Sequence, residues 1–156
     1  MKRAVFMQRA IDLSRERMEA GRGGPFGAVI VKGRKIIAEG SNEVTSSNDP
    51  TAHAEISAIR AACAALGKFS LEGCEIYTSC EPCPMCLGAI YWARIARIYY
   101  GNTRVDAARI GFDDEFLYSE IMQPPERRKI PMSRMLEAEA REAFDAWERK
   151  PDKIRY

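Results

Sequence analysis

Two stretches decide the fold of this chain: Ala52-His53-Ala54-Glu55 and Cys80-Glu81-Pro82-Cys83-Pro84-Met85-Cys86. His53 is the only histidine in the sequence, and Cys83 and Cys86 stand three positions apart. One imidazole and two thiolates are three protein ligands for a tetrahedral zinc ion, and the fourth position stays open to water. The two stretches therefore predict a catalytic zinc site rather than a closed structural one.

Glu55 is the natural general base of such a site. Zinc lowers the pKa of a bound water to about 7, and a nearby carboxylate can take that proton and return it to substrate. Positions 53 and 55 do not share a face of a regular helix, so we expect both in a first helical turn, where side chains converge. Pro84 opens a second helix between Cys83 and Cys86. The positive ends of two helix dipoles would then lie close together and would favour thiolates at the metal site.

Cys80 leaves an alternative open, because Cys80 and Cys83 also form a Cys-x-x-Cys pair. We favour Cys83 and Cys86, since Glu81-Pro82 places Cys80 in extended chain before the helix. A site that included Cys80 as a fourth ligand would be structural and would not support catalysis.

The composition is that of an ordinary globular domain. The chain has 156 residues, 46% of them hydrophobic and 29% charged, with a net charge of +2. This length fits a single domain, 1–156, and the small net charge favours a small-molecule substrate over nucleic acid. Three of the five cysteines lie within seven residues, which predicts a metal site and a cytoplasmic location rather than disulfides. We expect no secretory signal and no membrane partner.

Periodicity predicts strands that alternate with helices. Asp49-Pro50 reads as the start of a helix that runs to Leu66, and Gly111 as a break in a later helix. Helices are expected near 4–20, 51–66, 84–94, 106–121 and 136–149, and strands near 26–31, 35–38, 75–78, 95–100 and Ile130. This order predicts a layered α/β domain.

The spacing His-x-Glu followed by Pro-Cys-x-x-Cys is the pattern of zinc-dependent nucleobase deaminases. The chain resembles bacterial guanine deaminases of the cytidine deaminase-like superfamily. The resemblance is carried by Gly-Gly-Pro-Phe-Gly-Ala-Val-Ile-Val (23–31), Asn-Asp-Pro-Thr-Ala-His-Ala-Glu (48–55), the segment 77–94, and Gly-Phe-Asp-Asp (111–114).

The resemblance implies a three-layer α/β/α domain around a mixed five-stranded sheet. It implies one Zn²⁺ per subunit and the reaction of guanine with water to give xanthine and ammonia. It also implies a homodimer, and the C-terminal segment from about residue 122 either closes its own subunit's pocket or is swapped between subunits.

Carried over residue by residue, the resemblance makes His53, Cys83 and Cys86 the zinc ligands and Glu55 the proton shuttle. Asp114 becomes a second catalytic acid that faces the reacting amino group, with adjacent Asp113 as the alternative. The implied substrate-binding residues are Phe26, Asn42, Trp92, Asp114 and Tyr156. Asn42 would bind the purine through an amide that both donates and accepts, and the two aromatic rings Phe26 and Trp92 would sandwich the base.

Two other functions compete with this interpretation. A tRNA adenosine deaminase, or another nucleobase deaminase, would use the same zinc chemistry, but a tRNA enzyme needs a basic face. Here 24 Lys and Arg nearly balance 22 Asp and Glu. A non-catalytic zinc-stabilised interaction module would need a fourth protein ligand and no Glu55.

Overall fold

The computed structural model describes residues 2–156, with side chains from residue 3 onward. It contains two compact units, one that ends at Asp114 and one over Glu115–Tyr156. The elements of the first unit are α1 (Lys2–Glu19), β1 (Gly27–Lys32), β2 (Lys35–Ser41), α2 (Val44–Ser47), α3 (Ala54–Leu66), β3 (Cys74–Cys80), α4 (Pro84–Trp92), β4 (Arg97–Asn102) and α5 (Arg104–Arg109).

The first unit is built on a mixed sheet with the strand order β2-β1-β3-β4. Strand β1 runs antiparallel to both β2 and β3, whereas β3 and β4 are parallel. The α/β class and the mixed sheet are confirmed. The expected count of five strands is wrong for the described residues, which form a sheet of four.

Helices cover both faces of this sheet, because successive strand residues point to opposite sides. Val29, Val31 and Tyr77 pack with residues of α1 in one buried cluster. Ala28, Ile30 and Ile76 face the other way and join a second cluster with the small residues of α3. The unit is therefore a helix–sheet–helix sandwich whose third layer contains α3 and α4.

Helix α3 lies very close to the sheet, because the strand residue beneath it has no side chain. A Cβ atom built on Gly40 would stand 2.3 Å from the Ala54 carbonyl oxygen and 2.5 Å from the Ala58 amide nitrogen. Such distances are far inside van der Waals contact, so only glycine fits. This close approach holds the N-terminal turn of α3 against the sheet, where His53 and Glu55 begin the helix.

The start of α3 differs from the sequence prediction. The Asp49 carboxylate accepts hydrogen bonds from the Thr51 amide and hydroxyl at 2.8 and 2.6 Å, which closes a local turn. The helix therefore begins only at Ala54, with His53 as its N-cap. The physical reason is that the aspartate side chain satisfies a turn rather than a helix end.

The second unit contains α6 (Glu115–Met122), a 3₁₀ turn (Pro125–Arg127) and α7 (Glu137–Arg149). The strand expected near Ile130 is absent from it, and this accounts for the missing fifth strand. Ile130 is 79% exposed, and Pro131 has no amide hydrogen to donate to a ladder. The helix break at Gly111 is confirmed, since α5 ends at Arg109 and α6 begins at Glu115.

None of the helices in the described residues is both long enough and apolar enough to cross a membrane.

Candidate metal centre and catalytic site

Three side chains that the sequence places far apart meet in the first unit. The His53 Nδ1 atom lies 3.6 Å from the Cys83 sulfur and 3.5 Å from the Cys86 sulfur. All three ligand atoms lie within 4.8 Å of one another. A tetrahedral zinc ion with ordinary Zn–N and Zn–S lengths separates such atoms by about 3.6 Å. The donor set therefore fits zinc in both chemistry and spacing.

Two helix starts bring these ligands together. His53 is the N-cap of α3 and Cys83 is the N-cap of α4, and both have extended backbone with no side-chain capping bond. Cys86 follows in the first turn of α4, after Pro84, which tolerates that position because it needs no amide hydrogen. Neither side chain is used to cap its helix, so both can bind a metal.

The Cys83 sulfur is stabilised as a thiolate. Hydrogen bonds from the Cys86 thiol and from His53 lower the pKa of Cys83 from its ordinary value of 9.0 to about 4. The thiolate is the form that binds metal ions. This cysteine is therefore ready to act as a ligand at neutral pH.

Cys80 does not belong to this group. Among the described residues, the set that can hold a metal ion comprises His53, Cys83 and Cys86. The Cys80 sulfur instead contacts the Thr103 carbonyl oxygen at 3.7 Å. Burial and neighbouring carboxylates raise the pKa of Cys80 to about 11, so it is a neutral thiol. The group therefore offers three protein ligands, the number found in catalytic zinc sites.

Glu55 is buried beside the metal ligands. Its side chain is in the first turn of α3, and the residue is 6% exposed. The Thr78 hydroxyl donates a hydrogen bond of 2.8 Å to Glu55 Oε1. Burial raises the pKa of Glu55, although hydrogen bonds from its own backbone, Thr78 and Cys86 oppose the effect. A carboxyl group with a raised pKa is a better proton acceptor than an exposed one.

Of the two adjacent acids, Asp114 is the one whose pKa is affected by a residue of the candidate metal site. Asp114 is half-buried, whereas Asp113 is exposed. Burial raises the pKa of Asp114, the negative Cys83 sulfur raises it further, and Arg104 opposes the shift. Arg104 had no signal in the sequence analysis.

Asn42 is a buried residue whose amide oxygen is already used. Its Oδ1 accepts hydrogen bonds from the Gly24 amide at 3.3 Å and from the Val44 amide at 3.2 Å. Two amide donors identify that atom as the oxygen and occupy both of its lone pairs. The expectation that this amide binds a purine stays a prediction, and the NH₂ group is the part of the amide that these two bonds leave to donate.

Phe26 is held by a second aromatic ring. Its ring centroid lies 4.9 Å from that of Phe112, with the planes at 89°. Such an edge-to-face pair is a favourable aromatic arrangement. Phe26 is also half-buried against the core cluster of the α3 layer. Sequence reasoning missed Phe112, since an aromatic residue in a loop carries no periodic signal.

Trp92 stands at the C-terminal end of α4, away from the N-cap residue Cys83. It ends α4, and Cys83 precedes the start of the same helix. At 1.5 Å per residue, the nine positions between them span about 13 Å. Trp92 is 66% exposed. Its assignment to the substrate site stays a prediction.

Tyr156 belongs to the second unit and is 76% exposed. Its assignment to the substrate site stays a prediction.

Thr78 is the contact residue that sequence reasoning missed most completely. It stands on β3 among core residues, and nothing local in the sequence relates it to Glu55, 23 positions earlier. The one available signal is a hydroxyl on a strand face that is otherwise apolar.

Comparison with known proteins identifies the family. Residues 1–102 match the family described as the cytidine and deoxycytidylate deaminase zinc-binding region. The chain is 54% identical to guanine deaminase of Bacillus subtilis (strain 168) over 156 residues, which cover all of both chains. The X-ray structure of guanine deaminase from Bacillus subtilis superimposes with a TM-score of 0.97, over 100% of this chain and 99% of that one.

More distant relatives share less of the chain. The structure of a guanine deaminase from Nitrosomonas europaea has a TM-score of 0.66 at 33% identity, over 78% of this chain and 66% of that one. A tRNA-specific adenosine deaminase of Agrobacterium fabrum is 52% identical over 77 residues, which are 49% of this chain and 51% of that protein. The zinc ligand set and these likenesses agree, and the chain belongs to the cytidine and deoxycytidylate deaminase zinc-binding family.

Proposed function

We propose that this protein hydrolyses guanine to xanthine and ammonia. The observation that carries the proposal is the full-length likeness to a guanine deaminase, which includes residues 103–156 beyond the zinc-binding region. The sequence likeness to a tRNA-specific adenosine deaminase covers 49% of this chain in the Agrobacterium protein and 64% in the Aquifex aeolicus protein. The greater identity and the full coverage of the guanine deaminase favour guanine.

The proposed zinc ligands are His53, Cys83 and Cys86. Zinc held there would lower the pKa of a bound water to about 7 and so would supply hydroxide at neutral pH. The Glu55 carboxylate accepts the proton of that water and delivers it to the substrate. Its burial and its raised pKa support this role, because a proton shuttle must bind and release a proton at similar cost.

Asp114 is proposed as the acid that faces the amino group of guanine. The new C–O bond forms at the carbon that carries this group, and the C–N bond breaks once the nitrogen has been protonated. The half-buried Asp114 carboxyl, with its raised pKa, can hold a proton near that nitrogen. Asp113 is exposed and is the weaker candidate.

The base is proposed to lie between Asn42 and Phe26. The free NH₂ group of Asn42 donates to an acceptor atom of the purine, and the Phe26 ring stacks on its face. Stacking of a base on an aromatic side chain contributes about 1–3 kcal/mol. Phe112 keeps the Phe26 ring in place. Trp92, which is exposed at the end of α4, is proposed as the second aromatic contact of the base.

We propose a homodimer whose C-terminal segment, from about residue 122, is swapped so that Tyr156 reaches the partner's site. The exposure of large apolar side chains in this segment supports an interface, since Phe144 is 79% exposed and Leu136 is 67% exposed. Light scattering tests the dimer, because a homodimer in solution has twice the mass of one chain.

Complementation tests the swap. A Glu55→Ala chain is mixed with a chain that ends at residue 121, and recovered activity supports exchange. An inactive mixed dimer contradicts it.

The reaction would place this protein in purine metabolism. We propose a cytoplasmic location, which is supported by the free thiols of Cys63, Cys74, Cys80, Cys83 and Cys86.

An ammonia-release assay tests the proposed function. The zinc-loaded protein is given guanine, adenine, cytosine, cytidine and tRNA in separate reactions, and zinc is measured in the same samples. We expect guanine alone to turn over well. Editing of tRNA adenosine with inert guanine would instead establish the alternative reaction. A protein that holds zinc and releases no ammonia from any substrate would be an interaction module.

A further inference from the structure

Thr78 places a hydroxyl on a strand face that is otherwise apolar. Cys74 and Ile76 lie on the same face of β3 and belong to the buried core of the α3 layer. Thr78 is 1% exposed, and its register partner on β1 is Ala28. Valine has nearly the same shape and would fit such a position, so the hydroxyl itself needs a reason.

The hydroxyl lies between two acceptors. Thr78 Oγ1 is 2.8 Å from Glu55 Oε1 and 3.0 Å from the Cys80 carbonyl oxygen. A hydroxyl has one hydrogen to donate, and the carboxyl oxygen of Glu55 is the nearer of the two acceptors. The hydrogen therefore goes to Glu55, and this bond ties the first turn of α3 to the end of β3.

We propose that Thr78 is a positioning residue that fixes the rotamer of Glu55. With one carboxylate oxygen held by the sheet, the group cannot swing away from the metal site between proton transfers. This inference rests on the proposed function for its kinetic test, and the Glu55–Thr78 contact supports it independently. Thr78 need not touch the substrate.

Ser79 supplies a matched comparison. It is the next residue of β3, it is 4% exposed, and its Oγ accepts a hydrogen bond of 3.0 Å from the Gly27 amide. Its side chain points to the other face of the sheet. Ser79→Ala thus removes a buried strand hydroxyl and one hydrogen bond without touching Glu55.

The kinetic test compares Thr78→Val, Thr78→Ser and Ser79→Ala in the zinc-loaded protein with guanine. A hydrogen bond to a charged group is strong, so we expect Thr78→Val to lower kcat about 10- to 100-fold, with KM changed less than about threefold. Thr78→Ser restores kcat to within about threefold of the native value. Ser79→Ala lowers the melting temperature and leaves kcat within about threefold. Zinc content stays the same in all of them.

A double-mutant cycle and a structure complete the test. In a Glu55→Ala background, Thr78→Val should cause no further loss of kcat, since the residue acts through Glu55. Crystal structures of the zinc-loaded Thr78→Val variant should show Glu55 in more than one rotamer, and those of Thr78→Ser in one. Thr78→Ala replaces Thr78→Val in each comparison if valine prevents folding.

Three kinetic results would overturn the proposal: native kcat in Thr78→Val, an equal loss in Ser79→Ala, or an additive loss in the Glu55→Ala background. A single unchanged Glu55 rotamer in Thr78→Val would also overturn it. If the native protein does not turn over guanine, the proposed function fails, while the crystallographic comparison still decides the role of Thr78.

Discussion

Replacement of Glu55 by glutamine separates proton transfer from everything else that this side chain does. The amide has the same size as the carboxylate and keeps a carbonyl oxygen that can accept the hydrogen bond from Thr78. It cannot accept a proton at neutral pH. Glu55→Gln should therefore preserve the fold, the zinc content and the position of the side chain, and should remove only the base.

The expected loss follows from the surroundings of the carboxylate. A general acid–base group contributes about 10²- to 10⁴-fold to the rate. Glu55 is 6% exposed, so bulk water has poor access as a substitute base. We therefore expect kcat to fall about 10³-fold, which corresponds to about 4 kcal/mol of transition-state stabilisation. KM should change by less than about threefold.

The stability of this variant provides a second readout. Burial raises the pKa of Glu55, so the ionised form is disfavoured in the folded protein. A neutral amide avoids the cost of burying that charge. The melting temperature of Glu55→Gln should therefore be no lower than that of the native protein.

The assay is ammonia release from guanine, with zinc measured by mass spectrometry and unfolding followed by circular dichroism. Glu72→Gln is the control, because Glu72 is an exposed glutamate outside the site. The reasoning is refuted if Glu55→Gln retains more than about a tenth of native kcat with full zinc. A loss of zinc in proportion to activity would show that the carboxylate serves the metal instead.

Three further outcomes are expected. Asp114→Asn should lower kcat more than about tenfold and Asp113→Asn less than about threefold, by the same ammonia assay; the reverse order would transfer the role to Asp113. Asn42→Asp should raise KM for guanine about tenfold or more, because it replaces the free NH₂ donor by an acceptor, and an unchanged KM would remove Asn42 from the site. Arg9 donates to Glu39 at 2.8 and 2.9 Å and lowers the pKa of Glu39 below its ordinary 4.5. That ion pair stabilises the folded state above pH 4.5 and its contribution is lost as the pH falls further, so acid unfolding curves of Glu39→Gln and the native protein should converge.

The chemistry of the metal site was readable from the sequence, because it depends on a few residue types at short spacings. His-x-Glu and Cys-x-x-Cys put each pair of functional groups within one helical turn, and Pro84 marks where the second helix starts. The structure then brings the single histidine within 3.6 Å of both sulfurs. The prediction of three ligands without Cys80 is consistent with this arrangement.

The fold class was also readable, whereas its details were not. Alternating strands and helices predicted the α/β class, but an apolar residue followed by proline near Ile130 was read as a fifth strand. A strand exists only where a partner completes its hydrogen bonds, and no local pattern shows whether one is present. The same applies to Asp49, whose carboxylate satisfies a turn instead of capping a helix.

What the sequence by itself determined, then, is the set of reactive groups: an imidazole, two thiolates and a carboxylate at spacings that suit one metal. Only the tertiary structure decided which other groups reach them, since Thr78 meets Glu55 across 23 positions and Phe112 meets Phe26 across the unit. Such contacts depend on how strands are paired and how closely helices pack on them. For the same reason, the side-chain oxygen of Asn42 accepts hydrogen bonds from two backbone amides. The NH₂ group is what remains to bind a ligand, and the folded loop rather than the residue type decided this.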